Sequence, residues 1–491
     1  MAQTHFKKLD EESLALHDSW DSIARLVLLV AALSVGVWAS VSLLREAVHV
    51  ATHHLFEAVE HNDLLVGGAI LLCTLVAGGL VRGWLVRRPG WADAAGDGMD
   101  VALENYHITY VHDGDDPQPR YNRPAFSLAI KKAIFTFFTL GTGGSGGLEA
   151  PVVLMGETIA AGFSRVMRIR SEFELRTYQI AAISAAVSTL LGAPFTAALF
   201  ATEVAYGDRI IYRKLAYALW AGVIAYLLNN RLRGFRPLFE GPAHLPTYSL
   251  AEYVAAALVA VAVSVPLALG FGRAMLHMKA LVHRLNPRRH AVVTSAGVAM
   301  VAIGLWYGFG LRPHTILGMG EETIHGILSG DPDLAAWHVL ALVLVGKALT
   351  TALTLQGGGS AGLLVPSMYL GGVSGALVAV AANATGWLDL DPALFAVVGI
   401  GSSLVAVIGV PLSAIALVLE VFGKSFGPPA ILAIGVTYLV TLRVKLYAGQ
   451  RLSPDPEGDE TGGRASSEGS HPVAGPLHSE GEGSDGPAPP A

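Results

Sequence analysis

Residues able to do chemistry gather in two glycine-rich stretches. Gly143 to Pro151 reads Gly-Gly-Ser-Gly-Gly-Leu-Glu-Ala-Pro, and its one ionisable residue, Glu149, stands two positions before the proline. Gly358 to Pro366 reads Gly-Gly-Ser-Ala-Gly-Leu-Leu-Val-Pro, at an offset of 215. Farther on, Gly192-Ala-Pro194 with Glu203 matches Gly409-Val-Pro411 with Glu420, at an offset of 217. Two landmarks with nearly one offset indicate duplicated halves. Glycine permits irregular backbone, and proline is favoured in a helix's first turn. Each stretch therefore predicts a helix that begins near its proline with its first N–H groups unpaired. Such N–H groups and the positive dipole end favour an anion over a cation. Glu149 would compete with an anion for those donors: ionised it plugs the path, and protonated or displaced it swings out. The plainer reading is a carboxylate that only stabilises a helix start.

The elements that hold these stretches are long and apolar. Of the 491 residues, 52% are hydrophobic and only 15% charged, with a mean hydropathy of +0.50. Soluble domains carry about 25% charged residues. A helix of about 20 apolar residues crosses the roughly 30 Å hydrocarbon core. Leu26–Leu44, Leu64–Val81, Ile180–Thr202 and Ala393–Leu419 contain no charge at all, which predicts an all-α integral membrane bundle. The first apolar stretch lacks a small-residue cleavage site and a second follows, so it reads as a retained helix. A single cysteine, Cys73, excludes an intrachain disulfide. Hydrocarbon cannot satisfy the free amides of a helix that starts at mid-bilayer. Two such half-helices in corresponding positions of two halves point to a central ion site.

Charge is unevenly spread. The net charge is −6; from Leu452 onward eight acidic residues face one arginine, Arg464, a balance of −7 that leaves about +1 for the rest. This Gly-, Pro-, Ser- and Glu-rich tail, residues 451–491, is expected to be disordered. Arg82, Arg87 and Arg88 follow the second span and Lys131 and Lys132 precede the next, whereas His49 to Asp63 has no Lys or Arg. That asymmetry puts the N-terminus and the Arg82–Arg123 loop in the cytoplasm. The loop with Lys279, Arg284, Arg288 and Arg289 follows suit; Arg231, Arg233 and Arg236 run against it.

Several other signals lead nowhere. Gly141-Thr-Gly143-Gly-Ser-Gly146 matches G-x-G-x-x-G, but helix-like Ala133–Leu140 precedes it where a dinucleotide site needs a strand. His49, His53, His54 and His61 suit one face of a short interfacial helix with no convincing carboxylate or cysteine set, so no metal is expected. No Ser-His-Asp order, Walker loop or basic stripe stands out. Enzyme chemistry, a cofactor, nucleotide and nucleic acid are therefore not expected.

Gly147-Leu-Glu149-Ala-Pro151 resembles the CLC signature G-[KR]-E-G-P, whose glutamate is the external gate. Gly362-Leu-Leu-Val-Pro366 is similar to the second signature, G-x-F-x-P, whose amides help bind the central anion. Gly96-Asp97-Gly98-Met99-Asp100 sits where the family has G-S-G-I-P, and Leu446-Tyr447 resembles the segment with its anion-coordinating tyrosine. The resemblance to the CLC family of chloride channels and anion/proton antiporters covers Ile23 to Gln450. It implies a cytoplasmic segment 1–22 and a transmembrane domain 23–450 of two inverted repeats, about 23–230 and 250–450. It further implies a homodimer in the bilayer of a bacterial inner membrane with both termini cytoplasmic, and no folded nucleotide-sensing module in so short a tail. The anion, chloride or a similar small ion, would sit among the amides of Gly147, Leu148, Gly362, Leu363, Leu364 and Val365, the Tyr447 hydroxyl, and the Asp97–Gly98 loop.

Departures from the family pattern matter as much. Leu148, Ala150 and Leu364 are mild replacements. Asp97 is not, because a serine hydroxyl donates where an ionised carboxylate only accepts. A carboxylate about 4 Å from an anion costs roughly 4 kcal/mol at an effective dielectric near 20. Asp97 must be protonated, turn away, or belong to a site that holds its anion differently. Val204, after Glu203, occupies the position where exchangers of the family commonly carry a proton-relay acid, and an apolar side chain cannot relay. This favours passive gated conduction, with antiport as the alternative and a nontransporting scaffold with a decayed pore as a second. Glu203 and Glu420 read as structural, bonded to nearby backbone.

Overall fold

The computed structural model describes residues 20–108, 125–169, 171–206, 210–234, 248–285, 289–386 and 388–441. Tyr447 and the acidic tail lie outside them. The described chain is helical almost throughout, in two matching runs of elements. The first comprises α1 Trp20–Glu60, α2 Leu64–Leu85, α3 Met99–Ile108, α4 Ala125–Leu140, α5 Glu149–Val166, α6 Glu172–Leu191, α7 Pro194–Tyr206 and α8 Tyr212–Arg233. The second begins with a rod, α9 Leu250–Pro266 and α10 Gly272–His283, joined by a π turn. It continues with α11 His290–Phe309, α12 Glu321–Ser329, α13 Trp337–Gln356, α14 Leu364–Asn383, α15 Pro392–Ile408, α16 Pro411–Leu417 and α17 Gly427–Thr441. Among the described residues, six helical stretches, including α1, α2, α13 and α14, are long and apolar enough to cross a membrane.

Local chemistry sets the boundaries. Ser249 and Glu252 form a capping box at the start of α9, and Asp391 caps α15 just ahead of Pro392. α6 and α15 each end on a glycine with positive φ, Gly192 (67°) and Gly409 (81°). A side chain resists that conformation. Pro194 and Pro411 then open the next helix, so the duplicated Gly-x-Pro is a stop followed by a start.

The two halves hold each other by bonds that recur with the halves exchanged. Ser145 N donates to Thr354 Oγ1 (3.1 Å), and Ser360 N donates to Thr139 Oγ1 (3.0 Å). The hydroxyls of Thr136 and Ser360 lie 2.7 Å apart, those of Thr351 and Ser145 2.9 Å apart. In the centre, Gly147 N donates to Gly362 O (3.0 Å) and Gly362 N to Gly147 O (2.7 Å), an antiparallel bridge. Every partner here is its counterpart shifted by 215 positions. An antiparallel bridge joining a residue to its own repeat copy forms only where the copies run oppositely. A local two-fold axis therefore passes between Gly147 and Gly362, and the repeat is inverted.

Two charges assigned above to loops are not in loops. Arg82 lies inside α2, 3% exposed, its Nη2 donating to Ser295 Oγ (2.6 Å). Lys132 lies inside α4 and is fully buried. Both helices run past the apolar windows read from the sequence, so Arg87, Arg88 and Lys131 remain as the surface charges there.

Candidate anion site

α5 and α14 both start beside the local two-fold axis. Their N-cap residues, Leu148 and Leu363, provide no side-chain cap, so the first-turn amides are left for something else. For α14 that is Glu149. Its side chain is 1% exposed and folds back over Gly147 toward the start of the other half's helix. A Cβ on Gly147 would strike Oε2 and lie 3.2 Å from Val365 Cβ and 3.3 Å from Pro366 Cδ. The backbone N–H groups of Val365 and of Glu149 itself face the carboxylate. Oε2 has no hydrogen-bond partner among the described residues. The carboxylate of one half thus stands at the helix start of the other. Gly147, Leu148, Gly362, Leu363, Leu364 and Val365 are brought together around it.

The Gly96–Asp100 loop packs against α5 from another side. Gly98, with φ of 89°, is buried: a Cβ there would lie 2.9 Å from Lys132 Nζ and 3.0 Å from Leu154 Cδ2. Lys132 Nζ donates to Gly96 O (2.7 Å) and Ala94 O (3.3 Å), and its ammonium and Asp97 attract one another. Asp97 Oδ1 accepts from Met99 N (3.1 Å). Of the three states open to Asp97, the structure holds the one turned onto α3, with a cation beside it.

Lys132 has a counterpart in the second half. Lys347, fully buried in α13, donates to Gly318 O (2.8 Å) and stacks over Tyr369 at 4.9 Å. Gly318-Met-Gly320-Glu-Glu322 repeats the pattern of Gly96-Asp-Gly98-Met-Asp100. Gly318 also receives a bond from Gly146 N (3.2 Å) and donates one to Gly144 O (3.2 Å), tying this loop to the segment that leads into α5. Each half therefore braces a Gly-x-Gly loop with a buried lysine. Sequence reading missed both lysines, although Lys132-(x)3-Thr136-(x)2-Thr139 and Lys347-(x)3-Thr351-(x)2-Thr354 carry the same 215 offset.

Glu203 and Glu420 also act across the two-fold axis. Glu203 accepts from Leu412 N (2.9 Å), Ser413 N (2.8 Å) and Ser413 Oγ (2.5 Å), capping α16. Glu420 accepts from Phe195 N (3.1 Å), Thr196 N (2.8 Å) and Thr196 Oγ1 (2.8 Å), capping α7. Val204 is fully buried. Tyr447 lies outside the described residues. Of the four histidines, His53 and His54 share an exposed group with Glu57, their possible ligand atoms within 4.8 Å of one another; the sequence reading had seen no such carboxylate.

The sequence pattern of the voltage gated chloride channel family matches residues 78–442. A "Chloride/fluoride channel protein" of Pseudomonas syringae pv. tomato is 27% identical over 320 residues, which span 63% of this chain and 66% of that relative's length. Among solved structures, a slow cyanobacterial Cl-/H+ antiporter superposes with a TM-score of 0.71 at 17% identity, covering 85% of this chain and 94% of that one. A CLC-type fluoride/proton antiporter superposes with a TM-score of 0.70 at 20% identity, covering 89% of this chain and all of that one. With the pattern covering well over half its length and the inverted two-fold core in place, this chain belongs to the voltage gated chloride channel family, the CLC proteins.

Proposed function

We propose that the chain moves small monovalent anions such as chloride across a bilayer by gated passive conduction, with Glu149 as the gate. One observation carries the reading: the buried Glu149 carboxylate lies where uncapped amides of α14 open toward the two-fold axis. An anion that takes these amides must displace the carboxylate, because both need the same donors. Asp97 and Gly98 contribute the inner loop, kept electrically tolerable by Lys132. The buried Val204 supports flow without protons through the family's usual relay position.

A second reading, anion/proton antiport, is favoured by the names of two structural neighbours, one a chloride and one a fluoride antiporter. The reversal potential in a pH gradient separates the two, since only exchange shifts it with proton stoichiometry. The experiment that tests transport itself is anion efflux from reconstituted liposomes, compared across chloride, nitrate and fluoride. Efflux equal to that of protein-free vesicles would leave only the nontransporting scaffold. Glu149→Gln removes the charge and keeps the shape, so flux should rise and lose its pH dependence. Unchanged flux with an unchanged pH response would remove Glu149 from the gate. We place the working unit as a homodimer in a bacterial inner membrane with cytoplasmic termini, with no enzymatic step.

A further inference from the structure

The last turns of α1 carry a group of side chains that the anion site does not use. From Glu46 to Asp63 the chain has four acidic residues and four histidines but no Lys or Arg, so no fixed cation of its own competes for the acids there. His53 and His54 stand four and three residues before Glu57, the two helical spacings that bring side chains onto one face. Glu57 Oε2 lies 3.8 Å from His53 Nδ1 and 3.7 Å from His54 Nδ1. The three atoms all fall within 4.8 Å of one another. The rings of His53 and His54 meet edge to face, and His49, one turn earlier, packs its ring against that of His53.

The plain reading is an ion pair between an imidazolium and Glu57. Exposed pairs of that kind contribute about 1 kcal/mol at most, and a second imidazolium beside the first would repel it. Two neutral imidazoles and a carboxylate are instead three lone-pair donors aimed at one point. Two His and one Glu form a known ligand set for zinc, in which water takes the fourth position. Ligands of a tetrahedral ion with bonds of about 2.1 Å stand about 3.4 Å apart, so the carboxylate separations need to close only slightly. The side chains are 62%, 73% and 52% exposed, which leaves them free to make that adjustment and leaves room for the water.

We propose that His53, His54 and Glu57 bind a first-row divalent transition-metal ion such as Zn2+ at the C-terminal end of α1. Imidazole selects this class over Mg2+ and Ca2+, which take oxygen ligands. His53 and His49 also line a cavity shared with His314, Glu321 and Glu322, so the ion stands at the rim of that cavity. Glu60, three residues beyond Glu57, contacts His314. The ion would thus fasten the turn of α1 next to its tie with the second half. Binding here is independent of the transport reading, and its test needs no flux.

The test is equilibrium dialysis of the full chain in detergent against Zn2+, on protein without a histidine purification tag. One saturable site per chain is expected, and an equal concentration of Mg2+ should not compete. His53→Gln, His54→Gln and Glu57→Gln should each weaken binding by about tenfold or more, the loss that even changes to residues behind the ligands bring. His338→Gln, at an exposed histidine far along the chain, should leave it unchanged. Zn2+ should raise the unfolding temperature of the wild type more than that of the three variants, since it binds the folded site. Without zinc the variants should unfold as the wild type does, because all three side chains are exposed. Loss confined to one or two of the three, loss shared by His338→Gln, or no saturable wild-type binding up to about 1 mM Zn2+ would overturn the site.

Discussion

At the scale of residues, the proposed site sets one carboxylate against an anion for amides that no side chain caps. Leu148 and Leu363 stand where Ser, Thr, Asp or Asn would ordinarily close a helix start. Lys132 is the residue whose role the structure changed most. It braces the Gly96–Gly98 loop and interacts with Asp97, so in the proposed site it offsets that carboxylate. A unit charge about 10 Å away is worth roughly 1.7 kcal/mol at an effective dielectric of 20. Lys132→Met should therefore weaken apparent anion affinity by about tenfold, read from the anion concentration dependence of flux, with a smaller effect on maximal rate. An unaltered concentration dependence would show that Asp97 needs no counter-charge.

At the scale of elements, crosswise capping explains why both halves keep a glutamate at the end of a short helix. Glu203 closes the start of α16 and Glu420 closes that of α7, each with three bonds. The environments differ, since Glu203 is 3% exposed and Glu420 is exposed. Glu203→Ala leaves the buried N–H and hydroxyl of Ser413 and the N–H of Leu412 without an acceptor, a loss of about 3–5 kcal/mol. Glu420→Ala should cost less, because its exposed carboxylate already shares its bonding with water. Thermal unfolding in detergent ranks the two variants, and equal losses would mean that the caps do not secure the helix starts.

At the scale of the whole molecule, the C-terminal end of α1 is tied to the segment that leads into the second Gly-x-Gly loop. His314 Nδ1 lies 2.6 Å from Glu60 Oε1, beside a cavity also lined by His49, His53 and Glu321. Burial alone would lower the His314 pKa. The hydrogen bond and charge of Glu60, with the charge of Glu322, outweigh it and raise the value above the usual 6.5. A raised folded-state pKa contributes stability that is complete below the ordinary histidine value and disappears as pH rises through the raised one. The stability gap between wild type and His314→Ala should therefore be widest in acid and narrow toward alkaline pH. A gap that widens with rising pH would contradict the pair.

The amino-acid sequence alone determined the membrane class, the duplication and the family, because apolar length, a repeated glycine–proline grammar and a constant offset are all written locally. It also marked Glu149, since a lone acid in an apolar helix start is conspicuous in one dimension. Tertiary structure decided which partners meet. Nothing local tells that Glu149 faces the amides of a helix some 215 residues away, or that Asp97 turns onto α3 beside Lys132. Those contacts exist only once the inverted halves close around their two-fold axis. Charge counting failed at Arg82 and Lys132 for the same reason: a residue's type reports its charge, and only packing reports whether water or another side chain answers it.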